Sequence, residues 1–460
     1  MVTHKDIVIL DLLSIYPKDA CLCMAHLYYF RKTMKPGSNF IIQATQILIF
    51  ALLASPFLFP KALLVLMLLL LAVWFSEGQM DKKRLFLKTN PYFLALPLLF
   101  LVYGLGLLYT ENLTYGFQKI ETRLSLFILP IVLPTLIHAH WQKNKEKYAM
   151  WFIGAATLGS LICIVRGLTF CFQEQSAWES GTLYAIPVGY NYVFSSHLTG
   201  FIMHPGYYAV FVLMAIFMLI NLWLSNRKKF LNIWSVLVLL VLITLVFLSY
   251  AKAALLVLLV LCGILGVQVA VRFKKLIYLL YSGLLAIFVL IIFYFFVPNT
   301  QERIQAIIDV QNESTLDPTS TESTQARVHA WMAAKATMSK SPWIGFGTGD
   351  GNDQLFKTYA DRGYTGALSV ELNAHNEYFQ TGLALGLMGI LFLIAPMLWS
   401  VLRAVRTKNF MLGSWAIAAI LVFLFESYLN TLAGALFFSL FFVIFALMNF
   451  SENEAHEASI

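Results

Sequence analysis

Apolar residues in this chain gather into runs of about 15 to 25 residues, separated by short polar clusters and without the alternation of a barrel strand. Runs of that length predict helices, because a backbone in lipid must satisfy its own hydrogen bonds. The pattern predicts twelve spans, near residues 41–58, 61–76, 92–109, 124–138, 150–169, 206–225, 231–249, 252–270, 275–297, 378–402, 411–428 and 431–450. The expected class is an all-α integral membrane protein of about 12 transmembrane helices, with both termini on one side.

Composition agrees: 59% of the 460 residues are hydrophobic and 12% charged, with a mean hydropathy of +0.74, far from the usage of soluble domains. The net charge of +8 need not imply nucleic acid, since a membrane protein carries cationic cytoplasmic loops in any case. With the amino terminus inside, 21 of the 32 Lys and Arg residues fall on inner segments, in clusters such as Lys82–Arg84, Arg227–Lys229 and Arg403–Lys408. The other 11 are spread over outer segments, six of them in one long loop of the kind that escapes the positive-inside rule. Five cysteines (Cys21, Cys23, Cys163, Cys171, Cys262) are too scattered for a disulfide framework or a zinc site.

Two outer segments are long, residues 170–205 and 298–377. The second lies between spans nine and ten; it opens with an acidic, Ser/Thr-rich stretch (311–324), turns helical in pattern from Ala326 to about Lys340 and breaks at Ser-Pro-Trp-Ile-Gly-Phe-Gly-Thr-Gly-Asp-Gly (341–351). The expected organisation is an inner segment 1–40, a polytopic domain 41–450 that includes the outer loop 298–377, and an inner tail 451–460. No cleavable signal peptide is expected, and Met34, followed by Lys-Pro-Gly-Ser and then a span, resembles a natural start.

Sidedness places Arg123, His204, Lys252, Arg327 and His375 at one membrane surface. Cations at that depth are costly unless paired with anions, so their convergence would suit a phosphate-bearing ligand. Lys252 stands out, because an outer turn of three residues has no positive-inside reason to carry a charge. His375 and Asn376 sit where a helix begins, a favourable place for an anion. Spaced at about 100° per residue, His375, Gly382, Gly386 and Gly389 would share one helix face, suited either to close packing or to substrate access. No Walker loop, Rossmann signature or spaced metal-binding set is present, and Thr-Gly-Asp-Gly-Asn-Asp (348–353) reads as a turn. A transporter would call for mid-span charges and internal repeats; Glu426 and Arg166 instead lie near outer span ends.

His375-Asn376, nine residues, then Gly386-Leu387-Met388-Gly389 resembles the H-N-x9-G-x-x-G signature of the bacterial O-antigen ligase and polymerase superfamily. Phe-Leu-Ser-Tyr-Ala-Lys-Ala-Ala-Leu-Leu (247–256) is similar to its Ser-Arg-Gly-Ala-Leu segment, with Lys252 in place of the arginine. Ala326–Ala334 with the 341–349 turn resembles its loop helix and Pro-x-x-G-x-G-x-G turn, with Arg327 as the helix arginine.

The resemblance implies transfer of a glycan from undecaprenyl diphosphate to an acceptor at the periplasmic face of the bacterial inner membrane, without metal, nucleotide or other cofactor. The expected acceptor is lipid A-core, with inversion at the anomeric carbon. The alternatives are a polysaccharide polymerase, which uses another carrier-linked unit, or a protein O-oligosaccharyltransferase. The implied catalytic set is His375, Arg327 and Lys252, with Arg123, His204 and Asn376 on the substrate-binding side. In it, Arg327 and Lys252 neutralise the diphosphate with help from Arg123, His375 positions or deprotonates the acceptor, and Asn376 holds His375 or caps the helix. Keeping a cation but not the guanidinium fork at 252 alters how phosphate is held there.

Overall fold

Long apolar stretches that can satisfy their hydrogen bonds only internally become helices here as expected. The structure, a computed structural model, describes residues 38–173, 196–296, 317–321 and 323–447. The Met34 start, most of the 170–205 segment, half of the 311–324 stretch and the 451–460 tail lie outside these residues. The principal helices are α1 (Ser38–Leu58), α2 (Leu63–Glu77), α3 (Met80–Thr89), α4 (Ala95–Leu105), α5 (Leu113–Thr122), α6 (Leu124–Gln173), α7 (Pro205–Ser225) and α8 (Ile233–Leu248). They continue with α9 (Lys252–Phe273), α10 (Ile277–Phe296), α11 (Ser323–Met338), α12 (Gly351–Arg362), α13 (Glu377–Thr407), α14 (Phe410–Val422) and α15 (Leu432–Leu447). Among the described residues seven helices are long and apolar enough to cross a membrane, and four shorter apolar helices accompany them. The protein is a multi-pass membrane protein.

The helical stretch α6 contains the candidate span Asn144–Phe170. Fifty residues of straight helix would reach about 75 Å, more than twice the hydrocarbon core. Instead Thr135 accepts from the Trp74 indole at 2.7 Å and Glu146 pairs with Lys229 at 2.5 Å, while Arg123 reaches Asn430 and Arg166 lies over the Phe201 ring. Thr135 and Glu146 therefore lie at one end of the bundle, and Arg123 and Arg166 at the other.

The bundle core is aromatic. Every residue from Tyr207 to Leu219 in α7 and from Gly434 to Phe445 in α15 is buried, and Phe57, Phe152, Tyr208, Phe211 and Phe441 interlock edge to face or tilted across four helices. Helices apolar on all sides belong either at such a centre or against lipid, and α10, with Leu280, Leu284 and Phe288 exposed, takes the second place. A separate small core forms where α11 and α12 meet the start of α13, from Ala330, Ala333, Ala334, Leu355, Tyr359, Ala367, Ala374 and Leu383. The Thr337 hydroxyl donates to that of Thr358 at 2.7 Å inside it.

α13 is broken at Gly386, whose φ of 62° and ψ of −157° leave the helical region. The freed backbone groups are taken up by the 341–351 turn. Phe346 N donates to Leu383 O at 2.9 Å and Gly347 N to Ala384 O at 2.8 Å; in return Leu387 N and Met388 N donate to Pro342 O and Trp343 O at 2.8 and 3.2 Å. A helix interrupted at membrane depth is tolerated only when its groups are re-satisfied in this way. A Cβ on Gly386 would lie 2.3 Å from the Trp343 carbonyl carbon, so the contact needs glycine for space as well as for φ.

The expected common face of His375 and the three glycines does not form. His375 precedes the helix in a left-handed conformation, and the turn at Gly386 rotates the rest of α13 relative to its first turns. Gly382 meets the Met338 side chain, whereas Gly389 faces Leu385 and Thr381 of its own helix.

Candidate active site

The end of the bundle that holds Arg123 and Arg166 also carries the starts of α7, α9 and α13 and the connection from α14 to α15. His375 stands at φ 42°, its backbone N–H donating to Asn373 Oδ1 at 2.8 Å. Left-handed backbone costs about 1–2 kcal/mol for a residue with a Cβ, so the surroundings must fix it. Asn376 then caps α13: its Oδ1 accepts from Phe379 N at 3.1 Å and its Nδ2 donates to Leu424 O at 3.0 Å.

Leu424 belongs to the α14–α15 connection, which brings Glu426 to the histidine. His375 Nδ1 lies 3.1 Å from Glu426 Oε2. Arg327, from α11, donates through Nη2 to Glu426 Oε1 at 2.7 Å. One carboxylate thus holds a guanidinium and an imidazole drawn from segments about 50 and 100 residues away. All three side chains keep a share of solvent exposure, 22% for His375, 24% for Arg327 and 14% for Glu426.

Burial pushes the Glu426 carboxyl up, but His375, Arg327 and His204 together outweigh it and leave it below the ordinary carboxylate value. His204 is the N-cap of α7, with Nδ1 accepting from Gly206 N at 3.2 Å. Burial lowers its pKa; Glu426 opposes, and His375 and Arg327 push the same way as burial. His204 is therefore neutral at pH 7, in the tautomer that carries its proton on Nε2.

Lys252 is the first residue of α9 and follows the left-handed Tyr250. It is half-buried, at the same end of the bundle, where α9 packs against α14 and α7.

Arg123 is 3% exposed. It donates to Lys119 O at 3.0 Å and to Asn430 Oδ1 at 3.1 Å, and its guanidinium lies 4.2 Å from the Tyr103 ring centre. Lys119 on α5 sits over the Tyr115 ring; burial and then Arg123 lower its pKa to about 8, against the opposing pull of Glu377.

Of the expected residues, the fold joins His375 and Arg327 through Glu426 and sets His204 in their field. Arg123 is turned into the protein, and the Asn376 amide is used at both ends as a cap and tie. Glu426 was given no role by the sequence, although one signal was there: it is the single charged residue between Lys408 and Glu452.

Residues 237–394, about a third of the chain, match the family model described as O-antigen ligase. That stretch contains Lys252, Arg327 and His375; Glu426, His204 and Arg123 lie beyond it. No curated protein matches the chain.

Proposed function

We propose, from the match of residues 237–394 to the family model described as O-antigen ligase, that the chain moves a glycan from undecaprenyl diphosphate to lipid A-core. In this reading the protein crosses the bacterial inner membrane twelve times with both termini inside, and the His375 end faces the periplasm. The observation that carries the proposal is the Arg327–Glu426–His375 chain, assembled from three separate segments and partly open at one end of the bundle.

The chemistry is set by those groups. Glu426 beside Nδ1 favours the tautomer protonated there, which leaves the Nε2 lone pair to accept a proton. An acceptor hydroxyl attacks the anomeric carbon; its oxygen forms the new C–O bond while the bond to the diphosphate oxygen breaks, the electron pair leaving with the carrier. The hydroxyl proton passes to His375 Nε2, and Glu426 stabilises the imidazolium. Attack opposite the leaving group inverts the anomeric centre.

Undecaprenyl diphosphate departs with added negative charge, which cations stabilise without a metal. Arg327 has five N–H donors and Glu426 is bonded to Nη2, so the guanidinium retains capacity for phosphate oxygens. Lys252 adds a point charge from the start of α9. His204, neutral, offers an Nε2–H to a sugar or phosphate oxygen. Asn376 serves by capping α13 and tying it to Leu424.

The experiment supplies purified protein with an undecaprenyl diphosphate-linked glycan and lipid A-core, then with the carrier-linked glycan alone. Glycan on lipid A-core is the expected product. Carrier-bound chains of increasing length, or glycan on protein hydroxyls, would overturn the ligase assignment; no transfer to any acceptor would overturn the reaction class.

A further inference from the structure

Behind the open chain of groups lies a second, buried set of ionisable and polar groups that the proposed reaction does not use. Glu377 is fully buried. Its carboxylate accepts from Leu429 N at 2.8 Å and from the Thr381 hydroxyl at 2.9 Å. The Thr381 oxygen is in turn 2.7 Å from the Tyr103 hydroxyl, Tyr103 carries the Arg123 guanidinium on its ring, and Arg123 donates to Asn430, the neighbour of Leu429. The circuit closes through six residues and joins α13, α4, the α5–α6 junction and the Tyr428–Asn430 turn.

A carboxylate and a guanidinium withdrawn from water cost several kcal/mol, which mutual attraction offsets only in part. Such a set is a poor source of stability, the more so as Arg123 Nε is buried without a hydrogen-bond partner among the described residues, but the bonds that Arg123 Nη1 and Nη2 and the Glu377 carboxyl do make hold one geometry. What lies against it is the pair of segments bearing His375 and Glu426. Glu377 N donates to Phe423 O at 2.7 Å, Asn376 Nδ2 to Leu424 O at 3.0 Å, and Ser427 Oγ to Asn373 Oδ1 at 3.1 Å. The clamped residues flank His375 on one strand of chain and Glu426 on the other.

We infer that Glu377 and Arg123 are positioning residues, whose closed circuit fixes the approach of His375 to Glu426 for the reaction proposed above, and that Arg123 does not bind the diphosphate. At 3% exposure, with Lys119 O, Asn430 and the Tyr103 ring already engaged, Arg123 belongs to the protein interior. The inference rests on the catalytic reading of His375.

The test is steady-state kinetics on the full chain in detergent, with an undecaprenyl diphosphate-linked glycan as varied donor. Glu377→Gln and Arg123→Lys should each lower kcat about tenfold or more while the donor KM stays within about threefold. The double variant should be no slower than the slower single, as expected of groups that act as one unit. Thr381→Val removes one link without touching a charge and should show a smaller kcat loss at the same KM; it decides the matter if the charge variants do not yield folded protein. A raised KM at unchanged kcat in Arg123→Lys, additive losses in the double, or unchanged kcat in folded Glu377→Gln or, failing that, in Thr381→Val would overturn the positioning role. His375→Ala, measured in parallel, separates the two ideas. Full activity there removes the reaction reading itself, whereas an inactive His375→Ala beside a fully active Glu377→Gln removes only the circuit.

Discussion

Two carboxylates stand beside His375 with opposite surroundings. Glu426 keeps 14% of its side chain exposed and shares its oxygens between Arg327 and His375; Glu377 is fully buried and is bonded to a backbone amide and a threonine. The cations divide in the same way, Arg327 partly open and Arg123 sealed. Charge and membrane depth, which sequence can read, do not separate them; access does. A charged pair that solvent can reach can be reached by a substrate, while one closed on all sides can only hold its neighbours.

Removing the open carboxylate should give the largest change. In Glu426→Gln the charge that supports the imidazolium is lost, and a fall in kcat of about 10²–10⁴ is expected from the usual worth of general base catalysis. A loss no greater than that of Glu377→Gln would erase the distinction between the two acids. Lys252 comes next: Lys252→Gln should lose most of the activity, about tenfold or more, while Lys252→Arg retains it, since charge on the diphosphate is the function assigned. Equal rates in the two variants would show that charge at 252 is irrelevant.

The smallest effect concerns pH. The Glu426 carboxyl titrates below its ordinary value of 4.5 in the folded protein. Its contribution to stability is therefore complete above pH 4.5 and is lost as pH falls through the lower folded value. The difference in Tm between the native protein and Glu426→Gln should stay level from about pH 7 to pH 5 and shrink below that. A difference that already declines between pH 7 and 6 would contradict the charge state assigned to Glu426.

Much of the architecture was legible because lipid leaves few options. Apolar runs gave the helices, and the single-charge turn before α9 marked Lys252. The motif residues His375 and Arg327 were legible for a different reason, since their chemistry stands in fixed local patterns. Glu426 was not, because its significance lies in meeting residues about 50 and 100 positions away. The burial of Arg123 was hidden for the same reason: whether a cation at a helix start faces a substrate or a tyrosine ring is decided by packing. Gly386 misled the reading of one shared glycine face, which assumed unbroken helix, whereas the 341–351 turn supplies hydrogen bonds that make the break possible.

The central claim is that the open histidine carries the transfer, and the most direct measurement is glycan transfer from undecaprenyl diphosphate by purified His375→Ala, with its thermal stability recorded alongside. No transfer with a Tm close to that of the native protein is the predicted result. Transfer at the native rate would contradict it.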